Sequence, residues 1–366
     1  MHLNLSYDES NEGINAGLSF FDSRRYVVRA LVPPGYERYF QEQARYTSAH
    51  TSTAIEGNPL NEDEAMLILA QGGEADSPAA VEKLNLDEAY QLMALLASDK
   101  STRIDEGIIR TMNSLLLKGL PDHGARNRGK YRITPNRIVD SITRENRYLP
   151  TPPQWVPELM ANLASDIEKW MESYQAPVAA ALAHFGLISV HPFDDGNGRT
   201  ARLLADMILD LQGWSVDGML AVSRVMLDRR SEYYDALRDA QGMDFREDVD
   251  VTPFVAFQTR ALGFATAALE DHVVSFSRRR DKLVREMSFL KERQVTGLMF
   301  MIDLGPISTP VYARMTESSQ ATALADLTEL VSQGVVVREG AGRSTRYRLN
   351  LELEASTTGT SKEEGG

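Results

Sequence analysis

Twelve consecutive residues, His191 to Arg202, read HPFDDGNGRTAR and gather an imidazole, two carboxylates, an asparagine between two glycines, and two guanidiniums. A histidine with a pKa near 6.5 is largely neutral at pH 7, so His191 could take a proton from an incoming hydroxyl. The step Gly196, Asn197, Gly198 stands where an apolar stretch gives way to an amphipathic one, and lets successive backbone N–H groups point one way. At a helix start this makes an anion nest. Arg199 and Arg202 lie three apart on the following helix and share a face near its first turn, where they add donors to a polyphosphate. Asp195, just before the nest, is placed to hold Mg2+ against the same phosphates, because that ion favours one or two carboxylates plus phosphate oxygens and water. Any one of these features alone is an ordinary helix end or surface turn. Their meeting on one turn supplies a base, a metal ligand, an anion cradle and paired cations.

The elements that must position this turn are mostly helical. PVAAALAHFGLISV, opening with Pro177 in a first turn, predicts an apolar helix running straight into His191, and RTARLLADMILDL predicts an amphipathic helix after it. Upstream, the pattern predicts helices near 37–56, 62–71, 77–97 and 105–118, the first of them stopped by Gly57, Asn58 and Pro59. The first forty residues read as irregular, punctuated by Pro33, Pro34 and Gly35. Between Gly119 and Pro150 the chain is rich in Gly, Pro, Asn and Arg, and residues 137–142 and 146–149 could pair as a short hairpin around Thr143, Arg144 and Glu145. The last third carries a charged helical segment near 276–293, then ATALADLTELVSQG capped by Gly334, the strand VVVRE, a glycine turn at 340–342 and the strand STRYRL. Helix, strand, turn and strand in that order suggest a winged helix.

Composition excludes several classes. The chain of 366 residues is 43% apolar and 25% charged, as in an ordinary globular protein of two or three domains. With 39 Lys and Arg against 52 Asp and Glu, a net charge of -13 argues against broad attraction to nucleic acid or to an anionic membrane. Zero cysteines rule out disulfides, thiolate metal sites and cysteine nucleophiles. No leader pattern follows Met1 and no apolar run is long enough to span a bilayer, so a cytoplasmic protein without a membrane partner is expected.

HPFDDGNGRTAR matches the Fic family signature HPFx(D/E)GNGRxxR at every specified position, and the chain resembles that family from about Tyr46 to Leu262. Such proteins mostly transfer AMP from ATP to a hydroxyl side chain of a target protein. The resemblance implies that His191 is the general base, that Asp195 binds magnesium, and that Gly196, Asn197 and Gly198 hold the phosphates while Arg199 and Arg202 neutralise them. It puts Phe193 beneath the loop and gives Asp194, at a variable position, no catalytic role. The hairpin between Arg137 and Leu149 resembles the family's flap, which pairs its edge with the target backbone. SEYYDALRDAQG resembles the segment bordering the adenine and offers Tyr234 and Gln241 as nucleotide contacts, with Gln241 standing where relatives often carry Asn. STAIEGN, Ser52 to Asn58, resembles the inhibitory motif (S/T)xxxE(G/N) in its N-terminal form, which makes Ser52 and Glu56 inhibitory residues with Arg202 as their partner.

The expected fold is mainly α: a Fic-type helical core with a short β-hairpin flap and a C-terminal winged-helix domain. The expected divisions are an N-terminal helical region with the inhibitory helix (1–100), the catalytic core (101–262), a helical linker (263–288), the winged-helix-like domain (289–352) and a disordered tail (353–366). The expected activity is that of an autoinhibited protein adenylyltransferase acting on Tyr, Thr or Ser, itself included, with ATP as substrate, Mg2+ as cofactor and homodimer formation as an option. Two alternatives stand beside it. One is a nucleotide-sensing regulator that binds DNA through the winged helix, disfavoured because ATALADLTELV has no Lys or Arg. The other is a de-AMPylase in which Glu56 orients water.

Overall fold

The computed structural model describes residues 1–71, 75, 77–121, 126–139, 146–342 and 345–350. In chain order the elements are β1 (Asn4–Ser6), α1 (Glu12–Leu31), α2 (Glu37–Ile55), α3 (Glu62–Gln71), α4 (Pro78–Ser98) and α5 (Glu106–Leu116). The hairpin strands β2 (Ile138–Val139) and β3 (Asn146–Tyr148) follow, then a 3-10 turn at Pro153–Trp155, α6 (Val156–Ser173), α7 (Ala176–Val190) and α8 (Asn197–Leu211). Next come α9 (Val222–Asp228), α10 (Arg230–Gln241), β4 (Asp248–Asp250) and the long α11 (Thr252–Glu286). The C-terminal part is α12 (Glu292–Leu304), α13 (Thr309–Met315), α14 (Gln320–Ser332), β5 (Val336–Glu339) and β6 (Arg346–Leu349). Among the described residues the sheets are three two-stranded pairs: β1 with β4 in parallel, and β2 with β3 and β5 with β6 antiparallel. The fold is thus mainly α, as the sequence predicts.

The centre of the molecule is α7. Its residues are apolar on every side, so it is buried along its whole length except at Ile188, with α6, α8 and α11 packed around it. Small side chains allow that crowding: a Cβ added at Gly186 would lie 2.7 Å from Leu163 Cδ1 of α6. α8 crosses the end of α7 and buries Leu203, Leu204, Met207 and Ile208, while α2 and α4 cover its other side.

The first forty residues are not irregular. Asn11 caps α1 by accepting from the Ile14 N–H at 3.1 Å, and Ile14, Phe21 and Val28, one heptad apart, bury against the core. Gly17 lets α1 close on α11, since a Cβ there would sit 3.0 Å from Thr259 Oγ1. Two glycines and a narrow apolar stripe hide this helix from a reading of composition. The hairpin exists but is shorter than expected. Ile138 pairs with Tyr148 and Val139 with Asn146 across an irregularity, and its tip (140–145) lies outside the described residues. The expected disordered tail lies outside them too. In the C-terminal domain α14 ends at Gly334, whose φ is +71°, and β5 and β6 form the wing. α11 runs unbroken through the expected boundary at 262/263. Among the described residues no helix is long and apolar enough to cross a membrane.

Candidate active site

The HPFDDGNGRTAR turn joins α7 to α8. His191 closes α7 with a left-handed backbone, φ 51° and ψ 59°, a conformation that a non-glycine residue holds only when its surroundings fix it. Its N–H donates to the Leu187 carbonyl at 2.9 Å, and its own carbonyl accepts from Arg132 Nε at 2.8 Å. The Arg132 side chain, 2% exposed, also donates to the carbonyls of Thr134, Thr151 and Val190, and its backbone N–H to that of Pro192. One buried guanidinium therefore ties three segments beneath the turn. Phe193 is buried there against Tyr131, with ring centroids 5.7 Å apart.

Asn197 fastens the loop to itself. Its Oδ1 accepts from the Phe193 N–H and its Nδ2 donates to the Phe193 carbonyl, both at 2.9 Å. Asn113 of α5 donates to the Asp195 carbonyl at 2.8 Å and accepts from the Gly129 N–H at 2.9 Å. Gly196 takes φ +77°, and a Cβ on it would meet Asn113 Nδ2 at 3.1 Å. With the loop so braced, the N–H groups of Asn197, Gly198 and Arg199 make no hydrogen bond among the described residues and remain open donors at the positive end of α8.

Burial and the nearby Arg132 push the His191 imidazole down to about 4, against a smaller upward pull from Glu56. The imidazole is therefore neutral at pH 7. Its buried Nδ1 has no hydrogen-bond partner among the described residues.

Arg202, 2% exposed, is already occupied. Its Nε donates to Ser52 Oγ at 2.8 Å and its Nη2 to the Ser52 carbonyl at 2.8 Å and to Glu56 Oε1 at 2.7 Å. Burial opposes both charges, but each holds the other ionised, so the Glu56 carboxyl stays below the usual carboxylate range and Arg202 above the usual arginine range. Glu56 also presses on the nest: a Cβ added at Gly198 would lie 2.2 Å from Glu56 Oε1. Arg199, 3% exposed, is held by two acids, Glu82 of α4 at 3.0 Å and Asp195 at 3.3 Å. Glu82 accepts from Asn58 Nδ2 at 2.8 Å with its other oxygen, which links the turn after Glu56 to the loop.

A cavity of about 480 Å³ brings these groups together, lined by Glu56, His191, Gly198, Arg202, Tyr234 and Gln241 among others. Asp195, Gly196, Asn197 and Arg199 are not among the residues that line it. Both polar ends of Gln241 are engaged: Nε2 donates to the Tyr148 hydroxyl at 2.9 Å and Oε1 accepts from Ser189 Oγ at 3.4 Å. Tyr148 in turn donates to the Ser189 carbonyl at 2.8 Å, so β3 is pinned to the core through the residue expected to contact the base. Tyr233, beside Tyr234, is buried and shares a 3.0 Å hydrogen bond with His184 Nε2.

Among the described residues no three His, Asp or Glu side chains converge on a metal centre. Asp195 is half-exposed, with Oδ1 accepting from the Gly196 N–H at 2.6 Å and from Arg199, and Oδ2 unengaged among the described residues. One hard oxygen at the mouth of an anion nest suits a magnesium ion that takes its other ligands from phosphate and water. Asp194 is occupied differently, accepting from Asn127 Nδ2 at 2.9 Å.

Arg132, Asn113, Glu82, Tyr148 and Tyr233 escape the sequence reading. Their work is done on backbone carbonyls and on distant side chains, which leaves no local pattern to find.

Residues 103–209 match the Fic/DOC family, and residues 291–350 match the family described as Transcriptional regulator DIP2311-like, C-terminal domain. The chain is 29% identical to Protein adenylyltransferase Fic of Nematostella vectensis over 229 residues, covering 60% of this chain and 47% of that protein. It is 27% identical to Protein adenylyltransferase fic-1 of Caenorhabditis elegans, covering 60% and 40% respectively. The chain thus spans about half or less of these relatives. In structure it resembles a Fic family protein from Desulfovibrio desulfuricans G20, with a TM-score of 0.56 and 24% identity over 93% of this chain and 97% of that one. It also resembles residues 134–508 of Caenorhabditis elegans Fic-1, with a TM-score of 0.53 and 25% identity over 71% of each chain. Fold, motif and these likenesses agree, and the chain carries a domain of the Fic/DOC family at residues 103–209.

Proposed function

We propose that the chain is a protein adenylyltransferase that transfers AMP from ATP to a Tyr, Thr or Ser hydroxyl, on itself or on a target, and that Glu56 restrains it. The observation that carries this reading is the shared cavity: a neutral His191, the open nest at Gly198, and Arg202 sequestered by Ser52 and Glu56 all face one space of about 480 Å³.

The acceptor hydroxyl oxygen attacks the α-phosphorus, His191 takes its proton, and the bond to the β-phosphate oxygen breaks so that pyrophosphate leaves in line. Open N–H donors at the start of α8 lie where charge grows on the phosphates, the arrangement that lowers such barriers most. Magnesium held through Asp195 would neutralise part of that charge. Ile138 and Tyr148 of the hairpin line the same cavity, which supports β2 and β3 as the edge on which a target segment is laid. Arg202 paired with Glu56 is unable to engage the γ-phosphate as well, and ATP then binds with its α-phosphorus out of line. DNA binding is not part of the proposal, because the outward residues of α14, Ala321, Leu324, Ala325 and Thr328, offer no charge to a phosphate backbone.

The test is incubation with labelled ATP and a lysate, followed by mass spectrometry of modified proteins, for the parent chain and Glu56→Gly. AMP on hydroxyl side chains, increased in the variant, supports the reading. Loss of AMP from a modified protein that requires Glu56 would replace it with the reverse reaction.

A further inference from the structure

The two ends of α2 are held by different parts of the molecule. Its last turn carries Ser52 and leads into Glu56 at the active site, whereas its first turns lie under the C-terminal domain. Phe300 of α12 packs on Tyr39 with ring centroids 4.6 Å apart. Arg314 of α13 donates to the Tyr46 hydroxyl at 3.2 Å and to the Ala70 carbonyl in α3. Arg38 bonds Glu317 at 2.8 Å, and Arg280, near the end of α11, donates to the Tyr36 hydroxyl at 3.2 Å. Tyr39 and Tyr46, one heptad apart, share a face of the helix.

These contacts border an unfilled space. A cleft of about 1060 Å³ runs beside them, lined by α2, by Tyr90 and Gln91 of α4, by Asp206 and Asp210 of α8, and by Arg293, Phe300 and Glu317 of the C-terminal domain. Tyr39 Oη and Arg314 Nε are buried without hydrogen-bond partners among the described residues, so the docked position leaves polar groups unsatisfied. An interface of a few aromatic and charged anchors beside a void is one from which a domain separates readily. One residue before Ser52, Thr51 Oγ1 meets Ser223 Oγ of α9 at 2.7 Å, so the active-site end of α2 bears on α9 and not on the C-terminal domain.

We propose that the C-terminal domain is a clamp on α2, so that its displacement from Tyr39 and Tyr46 tilts the helix and loosens Ser52 and Glu56 from Arg202. The proposal rests on the reading that Glu56 restrains AMP transfer. It assigns the domain a regulatory contact inside this chain, and makes α2 the element with two positions through which the coupling passes.

The experiment compares the full chain with Arg314→Ala and Glu317→Lys, the second a charge reversal at an exposed side chain facing Arg38. Hydrogen exchange at residues 49–57 and transfer from labelled ATP are measured for each, alone and combined with Glu56→Gly. Faster exchange at 49–57 and a rise in transfer of about tenfold for Arg314→Ala are expected, with a smaller rise for Glu317→Lys and no added rise in the Glu56→Gly background. Unchanged exchange at 49–57 in both variants overturns the clamp whatever the activity does. If Glu56→Gly itself fails to raise transfer while Arg314→Ala still accelerates exchange, the restraint reading fails and the clamp stands as a mechanical link. Circular dichroism separates these results from unfolding of the C-terminal domain.

Discussion

The glycine loop and the turn that closes on it are both helix ends, one at the start of α8 and the other at the finish of α2, and they are held in opposite ways. The loop is tied from beneath by buried groups: Arg132 on the His191 carbonyl, Asn113 on the Asp195 carbonyl, and Asn197 on both backbone groups of Phe193. Glu56 instead reaches Arg202 through one carboxylate whose side chain is 36% exposed and stands at the negative end of its own helix. Ties of the first kind have no substitute when removed. The second kind is one charge pair at a cavity mouth, where a competing anion can enter. The difference suggests a permanent cradle and a removable stopper.

The sharpest way to break this comparison is at the base. His191→Ala leaves the bracing contacts in place, because they use the backbone of that residue, so Mg-ATP binding should change little. Transfer should fall by about 10²–10⁴, the usual loss for a general base. A parallel loss of nucleotide affinity, measured by calorimetry, would show that the cradle depends on the imidazole. The pH profile adds a check. With the imidazole pushed down to about 4 by burial and Arg132, the base stays neutral well below pH 6.5, so transfer should hold steady from pH 7 to pH 5. An acidic limb centred near 6.5 would mean that a solvated base does the work.

Next in size is removal of the stopper. Glu56→Gly removes the charge pair and leaves Arg202 only its two hydrogen bonds to Ser52, and transfer should rise by about 100-fold, since a misplacement near 1 Å costs about that much. Affinity for ATP should rise far less. Arg202→Ala removes the same pair but also the guanidinium that productive binding needs, and should not mimic it. Equal activation by both variants, in parallel assays with labelled ATP, would mean that Arg202 is only the lock.

What the sequence discloses follows the same division. The loop is legible because its chemistry is contiguous: base, acid, glycines and arginines fall within one turn and its flanking helices. Ser52 and Glu56 are legible too, four apart before a glycine stop. The braces are not. Arg132 acts on carbonyls that any residue supplies, and Glu82 reads as one more acid on a charged helix until α4 is seen against Arg199. α1 is lost for another reason, because Gly13 and Gly17 argue against a helix whose burial depends on one residue per two turns. Gln241 shows the converse case, a residue expected at the nucleotide that lines the cavity but whose amide is spent on Tyr148.

A smaller effect separates the two neighbouring acids. Asp195 keeps one oxygen unengaged at the nest, while Asp194 is bonded by Asn127. Asp195→Ala should raise the magnesium concentration needed for half-maximal nucleotide binding by about tenfold or more, and Asp194→Ala much less. The opposite ranking in a magnesium titration would mean that the wrong carboxylate has been assigned.

The smallest expected effect falls where the two regions are joined. Glu82 accepts from Arg199 with one oxygen and from Asn58, two residues after Glu56, with the other. Lys83, fully buried beside it, donates to Thr53 Oγ1 at 2.8 Å, so α4 grips both sides of the turn. Glu82→Gln keeps the shape and one acceptor but removes the charge that holds two donors. The turn should loosen slightly, and transfer should rise by about threefold, in line with the modest worth of one partly exposed polar tie. The same change returns Arg199 wholly to Asp195, which should raise the magnesium concentration needed and lower transfer. These two consequences separate in a double-mutant comparison. In the Glu56→Gly background the gain through the turn has nothing left to release, so only the loss through Asp195 should remain and Glu82→Gln should lower transfer. A gain that persists there would place Glu82 in the glycine loop alone, and the stopper would then be held by Arg202 and α2 without help from α4.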